Sequence, residues 1–218
     1  MSKTLALLLF LAAFVAPSFV FPPAEGYKVG DTAADFSLKN VDGKMVSLAG
    51  IQGAKGYIVV FTCNTCPYAK AYEARIIALH QKYAAQGFPV VAINANDESS
   101  YPEDGFDRMK ALSKEMLFPF HYLHDTTQDV ARAYEAVCTP DFYGFDADLR
   151  LQYRGRLDAS RRDPAPEDSP RELFDAMRLI AHYGYGPGEQ WPSMGCSIKW
   201  KPLPQRHSDE DMDWQVAM

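Results

Sequence analysis

The sequence lacks the residue patterns that bind metals and nucleic acids. It has four cysteines and five histidines in 218 residues, and its single Cys-x-x-Cys pair has no second ligand pair at the short spacing of a zinc site. Only His121 and His124 lie at ligand spacing, on a strand-to-turn segment where the two rings need not converge. The formal net charge is −6 and no lysine–arginine cluster occurs. We therefore expect neither a metal nor a nucleic-acid partner.

The N-terminal segment has the composition of an export signal. Lys3 precedes an uninterrupted apolar run from Leu5 to Val15, and the small residues of 16–18 follow at the spacing that an export protease reads. The run is short for a bilayer, which needs roughly 20 residues. A cleaved signal peptide is therefore favoured over an uncleaved anchor, and only the anchor would give membrane contact. No cysteine follows the run, so a bacterial lipid anchor is not supported.

The rest of the chain has the composition of one globular domain, with 47% apolar and 23% charged residues and no internal repeat. The predicted organisation is a signal peptide or anchor over 1–24, a domain over 27–182 and a Gly/Pro-rich tail over 183–218. We expect the exported domain to work outside the cytosol, in the periplasm or an equivalent compartment, where disulfides persist.

Two cysteines follow a buried strand directly. Residues 57–61 are continuously apolar and β-branched, Cys63 and Cys66 come next, and a helical pattern then runs from Pro67 to Gln86. A helix N-terminus carries partial positive charge, which favours a thiolate. We place Cys63 at the helix cap as the accessible, low-pKa thiol. Cys66 would then be the hidden thiol, about one turn on and close enough to form a disulfide.

The remaining patterns predict an α/β sandwich around a mixed sheet. A hairpin is expected around Asp42-Gly43, because residues alternate on both sides of that turn. The other predicted elements are a strand over 88–93, a helix over 105–116, a helix capped by Asp125 with Val130, Tyr134 and Val137 on its inner face, a hairpin pairing 142–145 with 149–153, and a last helix from Ser169-Pro170 to about His182.

These features resemble the thioredoxin superfamily, in particular the redoxin branch of the alkyl hydroperoxide reductase/thiol-specific antioxidant type, over residues 27–182. The resemblance rests on the hairpin, the strand, the Cys63-Asn-Thr-Cys66-Pro67 motif and Thr139-Pro140. It implies a thioredoxin-like three-layer sandwich with a central mixed β-sheet and an N-terminal β-hairpin. It also implies that Pro140 is cis and faces the disulfide, that Thr139 aligns an extended substrate, and that no organic cofactor is needed. Electrons would come from a partner protein with a dithiol or disulfide.

Departures from the family patterns decide between activities. Peroxiredoxins carry a proline seven residues and a threonine three residues before the peroxidatic cysteine; relative to Cys63 these positions hold Gly56 and Val60. The pattern also fails for Cys66. We therefore expect thiol–disulfide exchange, with Cys63 attacking a substrate disulfide and Cys66 resolving it. A thiol peroxidase acting on peroxide through Cys63 is one alternative, and a non-catalytic binding module acting through the Trp-containing tail is another.

The residues around the pair have two interpretations. Thr62 and Pro67 flank the motif, and Cys66, Lys70 and Glu73 share one helix face. Lys70 could steady a thiolate and Glu73 could move its proton, but a solvated Lys–Glu pair is the favoured interpretation.

Two further cysteines lie outside the motif. Cys138 precedes Thr139-Pro140, where it could take part in redox chemistry, although burial is favoured for it. The favoured pairing is Cys63–Cys66, with Cys138 and Cys196 free or bridged to each other. A Cys196 that resolves Cys63 is the less favoured option.

Overall fold

The structure is a computed structural model that describes residues 27–160, 162 and 169–202. The predicted signal segment and the last 16 residues of the tail, 203–218, lie outside the described residues. Within those ranges, no helix combines the length and the apolar character needed to cross a bilayer.

The described residues form nine strands and four α-helices. The strands are β1 (Leu38–Asn40), β2 (Met45–Val46), β3 (Ile58–Phe61), β4 (Val90–Asn94), β5 (His121–His124), β6 (Cys138–Thr139), β7 (Asp141–Phe145), β8 (Leu151–Gly155) and β9 (Cys196–Ser197). The helices are α1 (Pro67–Tyr83), α2 (Phe106–Glu115), α3 (Asp129–Ala133) and α4 (Glu172–Tyr183).

Seven of the strands form one mixed sheet in the order β2-β1-β5-β4-β3-β7-β8. Strands β3, β4 and β5 are parallel to one another, while β1 and β7 run antiparallel to their neighbours. The pairs β1–β2 and β7–β8 are the two predicted hairpins. The predicted mixed sheet with an N-terminal hairpin is therefore confirmed.

Both faces of the central sheet are covered, as the apolar run of β3 predicts. Ile58 and Val60 pack with α1, α2 and α4 on one face. Val59 and Phe61 point to the opposite face, where they pack with residues of α3. Because successive side chains of a strand alternate between faces, one buried strand contributes to both cores. The three-layer arrangement is confirmed.

Helix α3 is shorter than its sequence pattern predicts. Tyr134 is fully buried, as expected, but Val137 is 61% exposed. The helix ends at Ala133, and the backbone turns at Glu135, whose φ is +49°. Val137 thus lies beyond the helix, so its placement on the inner helix face is wrong.

The described part of the tail beyond α4 lies on the domain, and Cys196–Ser197 within it form strand β9. We call residues 191–201 the C-terminal strap. Within it, β9 pairs antiparallel with β6, in the register Thr139 opposite Cys196. The buried side chain of Ile198 joins the core on the α3 face of the sheet. The strap therefore brings a distant cysteine to the segment that precedes Pro140.

Candidate active site

The two motif cysteines lie between the carboxyl end of β3 and the start of α1. Helix α1 has Pro67 at its first position and Cys66 as its N-cap, with φ −65° and ψ 124°. The predicted placement of Cys63 at the helix cap is therefore wrong by three residues, because Cys66 is the N-cap. Because the unpaired N–H groups of the first turn lie nearest to Cys66, their field acts more strongly on that sulfur.

A buried carboxylate holds the residues between the cysteines. Asp104 accepts hydrogen bonds from the backbone N–H groups of Asn64 and Thr65 at 2.8 and 3.0 Å, and from the Thr65 hydroxyl at 2.8 Å. It also accepts one from Asn96 Nδ2 at 2.8 Å. Its side chain is fully buried. Asp104 thus fixes the backbone that sets the separation of the two thiols.

The Asn64 side chain extends the same network. Its Nδ2 donates to the carbonyl of Glu103 at 2.8 Å, and its Oδ1 accepts a hydrogen bond from the hydroxyl of Tyr122 at 2.8 Å. Tyr122 is buried, and burial raises its pKa well above the ordinary value. The hydroxyl therefore remains a donor, and Asn64 is held from both ends.

Thr139 contacts both sulfurs. The Thr139–Pro140 peptide bond is cis, as the resemblance implies. Cys66 Sγ lies 3.0 Å from the Thr139 carbonyl oxygen, to which it donates when protonated, and Cys63 Sγ lies 3.4 Å from Thr139 Oγ1. The predicted substrate-aligning residue is therefore part of the thiol cluster.

The electrostatics of the pair favour a Cys66 thiolate. The hydrogen bond from the Cys63 thiol lowers the pKa of Cys66 to about 4, with smaller contributions from Cys196 and from the backbone N–H of Ala69. The same bond, together with burial and the charge of Asp104, raises the pKa of Cys63. Both side chains are only 3% exposed. The expectation that Cys63 is the accessible thiol is therefore wrong, and the directions of the two pKa shifts favour Cys66 over Cys63 as the thiolate.

The other two cysteines have different surroundings. Cys138 is buried, its thiol lies 3.6 Å from the Pro140 carbonyl, and burial raises its pKa to about 12. Cys196 is partly exposed and packs against the cluster of Cys63, Cys66 and Ala69. All four cysteines are free thiols in the structure. Cys196, rather than Cys138, is therefore brought to the motif.

Glu73 is partly buried and lies beside Cys63 rather than wholly in solvent. It lines a small cavity together with Thr62, Cys63 and Tyr122. Its Oε1 is buried and finds no hydrogen-bond partner in the described part of the chain, and burial raises the pKa of Glu73, against the lowering effect of the Lys70 charge. Lys70 itself is exposed. The favoured interpretation of a solvated Lys–Glu pair is therefore wrong for Glu73.

The described residues hold no group of three or more histidine, cysteine or acidic side chains arranged to bind a metal ion. His124 instead stacks on Phe106, with ring centroids 5.9 Å apart. The site is thus built from thiols, one threonine and buried hydrogen-bonding groups.

The AhpC/TSA family model matches residues 29–154, more than half of the chain. The chain belongs to this family. A structure of an uncharacterized conserved protein from Geobacillus kaustophilus is 41% identical, with a TM-score of 0.76 over 82% of this chain and 95% of that one. A thiol:disulfide interchange protein DsbE from Chlorobium tepidum, described as putative and 23% identical, matches 72% of this chain and 99% of that one with a TM-score of 0.53, which supports the thioredoxin-like fold.

Two curated relatives carry the name thiol-disulfide oxidoreductase ResA. The protein from Oceanobacillus iheyensis is 27% identical over 146 residues, covering 65% of this chain and 72% of the relative. The protein from Halalkalibacterium halodurans is 29% identical over 70 residues, which cover 32% of this chain and only 39% of the relative. The predicted membership of the redoxin branch is thus confirmed.

Sequence reasoning missed Asp104 and Tyr122. Asp104 lies in a turn-rich stretch, 39 and 40 residues beyond the two residues whose backbone it binds. No local pattern marks a carboxylate that caps a distant loop. Its position before α2 was the only available signal, and that signal is shared by many solvent-exposed acids.

Proposed function

We propose that the protein is an extracytoplasmic thiol–disulfide oxidoreductase that exchanges disulfides through Cys63 and Cys66. The observation that carries the proposal is the contact of both thiols with Thr139, at a helix N-terminus that stabilises one of them as a thiolate. Membership of the redoxin family and the similarity to two thiol-disulfide oxidoreductases support an oxidoreductase. The export-type N-terminal sequence supports the compartment.

The different pKa values of the two thiols suggest how the pair divides the reaction. When it is oxidised, a partner thiolate attacks Cys63 Sγ; a mixed disulfide forms, the Cys63–Cys66 bond breaks, and Cys66 leaves as a thiolate. A leaving thiol of low pKa departs faster. A second partner thiol then attacks the partner's sulfur, which releases Cys63 and completes the partner disulfide. The reverse sequence oxidises the pair.

Glu73 is the group best placed to exchange the Cys63 proton. Both residues line the same small cavity, and the buried Oε1 of Glu73 has no hydrogen-bond partner among the described residues. Because burial raises the pKa of Glu73, its carboxyl can hold a proton at a pH where an exposed carboxylate would not. Cys63 can thus gain or lose a proton without bulk water.

Turnover of a disulfide substrate tests the proposal. The full chain should catalyse the reduction of insulin by dithiothreitol, and Cys63→Ser and Cys66→Ser should each abolish the catalysed rate. Cys138→Ser is the matched control, because that thiol is buried and its burial raises its pKa, and it should keep the wild-type rate. Activity that survives both motif substitutions would refute the proposal.

A thiol peroxidase is the second candidate, favoured by membership of the AhpC/TSA family. Against it, the positions of the usual proline and threonine before Cys63 hold Gly56 and Val60, and Val60 is buried in the sheet core without a hydroxyl. Preorganised donors are needed to meet the charge that develops on peroxide. Hydrogen peroxide should therefore oxidise the protein at the rate of an ordinary thiolate.

Stopped-flow oxidation separates the candidates. A rate many orders of magnitude above that of a free thiol, lost in Cys63→Ser, would replace the exchange proposal by the peroxidase. Failure in both assays, with an unreactive Cys63–Cys66 disulfide, would leave the binding module as the function.

A further inference from the structure

Both motif sulfurs are less exposed than a third cysteine that packs against them. Cys63 and Cys66 are each 3% exposed. Cys196 packs against them from the C-terminal strap and is itself only partly buried. The most accessible sulfur of the cluster therefore lies outside the Cys-x-x-Cys motif.

The strap is fixed against the site by its own backbone. Cys196 lies opposite Thr139 in the β6–β9 pair, and its carbonyl accepts a hydrogen bond from Thr139 Oγ1 at 3.4 Å. Gly195 approaches so closely that a Cβ atom would lie 2.1 Å from the Thr139 carbonyl oxygen. This approach requires glycine at position 195, the residue immediately before the cysteine.

Two further contacts hold the strap beyond Cys196. The backbone N–H of Lys199 donates to Asn96 Oδ1, and its carbonyl accepts a hydrogen bond from the backbone N–H of Asp97, each at 2.9 Å. Ile198 is 4% exposed, within the core. Asn96 also binds Asp104, the carboxylate that holds the motif loop. The strap and the motif are thus positioned by one connected network.

Cys66 is the middle sulfur of three. Its thiol interacts with that of Cys63 on one side and with that of Cys196 on the other, and its sulfur also receives the backbone N–H of Cys196. Cys66 is therefore placed to form a disulfide with either neighbour.

We propose that Cys196 is a third redox cysteine, which takes the disulfide over from Cys63 and presents it to the electron-donating partner. This inference rests on the proposed exchange activity. The Cys196 thiol gives up its proton as its sulfur attacks Cys66 Sγ in the Cys63–Cys66 disulfide. The Cys66–Cys196 bond forms, the Cys63–Cys66 bond breaks, and Cys63 leaves as a thiolate that takes up the proton lost by Cys196. The transfer needs no external oxidant.

We call this disulfide transfer the relay. In the relay, Cys63 and Cys196 react with different partners. Cys63 receives the disulfide of the substrate. A dithiol partner then attacks the more exposed Cys196 Sγ, Cys66 leaves as the stabilised thiolate, and the second partner thiol completes the partner's disulfide. Two electrons thus enter at the strap and leave at the motif.

Peptide mapping of the oxidised full chain tests the relay. The protein is equilibrated at graded ratios of reduced to oxidised glutathione, quenched in acid, alkylated and digested with trypsin. Cys63 and Cys66 fall together in the tryptic peptide 56–70, whereas Cys196 falls in 179–199. A Cys66–Cys196 disulfide therefore links two peptides and leaves Cys63 alkylated, while a Cys63–Cys66 disulfide links none.

The relay predicts the linked pair in the wild type and in Cys63→Ser, and its complete loss in Cys66→Ser and Cys196→Ser. Cys138→Ser is the control, and it should give the wild-type yield. A link through Cys63 or Cys138, or a Cys196 that is fully alkylated wherever Cys63–Cys66 forms, would overturn the relay and leave the exchange function standing. If insulin turnover and both disulfides are absent, the proposed function fails and the relay fails with it.

Discussion

The motif loop and the C-terminal strap meet at Thr139, but they are held there in different ways. The loop between Cys63 and Cys66 depends on one buried carboxylate, that of Asp104. The strap is held by a two-residue ladder, several backbone hydrogen bonds and the buried Ile198. The difference indicates that the loop geometry can be lost by a single substitution, whereas the strap should shift only where its backbone approaches most closely.

Removing the Asp104 carboxylate should give the largest effect. Asp104→Ala leaves two backbone N–H groups, one hydroxyl and the amide of Asn96 without their acceptor. We expect the free energy of unfolding to fall by about 3 kcal/mol, measured by chemical denaturation. The reactivity of the pair should fall as well, because the loop no longer fixes the sulfurs.

Asp107→Ala is the matched control for that change. Asp107 is an exposed acid in the first turn of α2, and its removal should change the stability by less than about 0.5 kcal/mol. Equal losses in the two variants would contradict the assignment of Asp104 as the residue that holds the loop.

A side chain at position 195 of the strap should give a smaller loss of stability. Gly195→Ala places a Cβ atom 2.1 Å from the Thr139 carbonyl oxygen, so the strap must move away from β6. We expect a loss of about 1–3 kcal/mol and faster alkylation of Cys196. Gly188→Ala is the control, because nothing lies within 4 Å of its Cβ position. Unchanged alkylation of Cys196 in Gly195→Ala would contradict the close approach.

The pH dependence of stability tests whether Cys66, which lies between the motif loop and the strap, is a thiolate in the folded protein. The pKa of Cys66 is lowered to about 4 from its ordinary value of 9.0. Because this pKa is lower in the folded than in the unfolded protein, the thiolate stabilises the fold fully at a pH above 9.0, and this stabilisation is lost as the pH falls towards 4. The stability of the reduced wild type relative to Cys66→Ser should therefore increase as the pH rises from about 4 to about 8.

Cys138→Ser provides the comparison for this titration. Because burial raises the pKa of Cys138, its contribution should be constant over the same pH range. A wild type whose stability advantage over Cys66→Ser does not change with pH would contradict a Cys66 thiolate.

Local patterns were sufficient for the scaffold of the site. The apolar run ending at Phe61 and the helical spacing after Pro67 predicted β3 and α1, because these elements depend on periodicity within one segment. The dipeptide Thr139-Pro140 was found through the resemblance. Val137 was misplaced because a helical spacing continues in the sequence after the backbone has turned.

The parts that the sequence did not reveal depend on contacts between distant segments. Asp104 binds a loop some 40 residues earlier, and Cys196 pairs across 57 residues with Thr139. Four cysteines allow three pairings, and spacing alone does not choose among them. The roles of Glu73 and Cys66 depend on side-chain burial and on the residue at which α1 begins, and only the folded structure shows these.

The reduction potential of the Cys63–Cys66 pair is the measurement that tests the exchange function most directly. The full chain is equilibrated in glutathione buffers, and the disulfide within peptide 56–70 is quantified after acid quenching and alkylation. Because the reduced form is stabilised by the Cys66 thiolate, the account predicts a two-electron transition at a potential less negative than about −270 mV, the value of thioredoxin. A pair that remains fully reduced or fully oxidised across the whole range of buffers would contradict an exchange function.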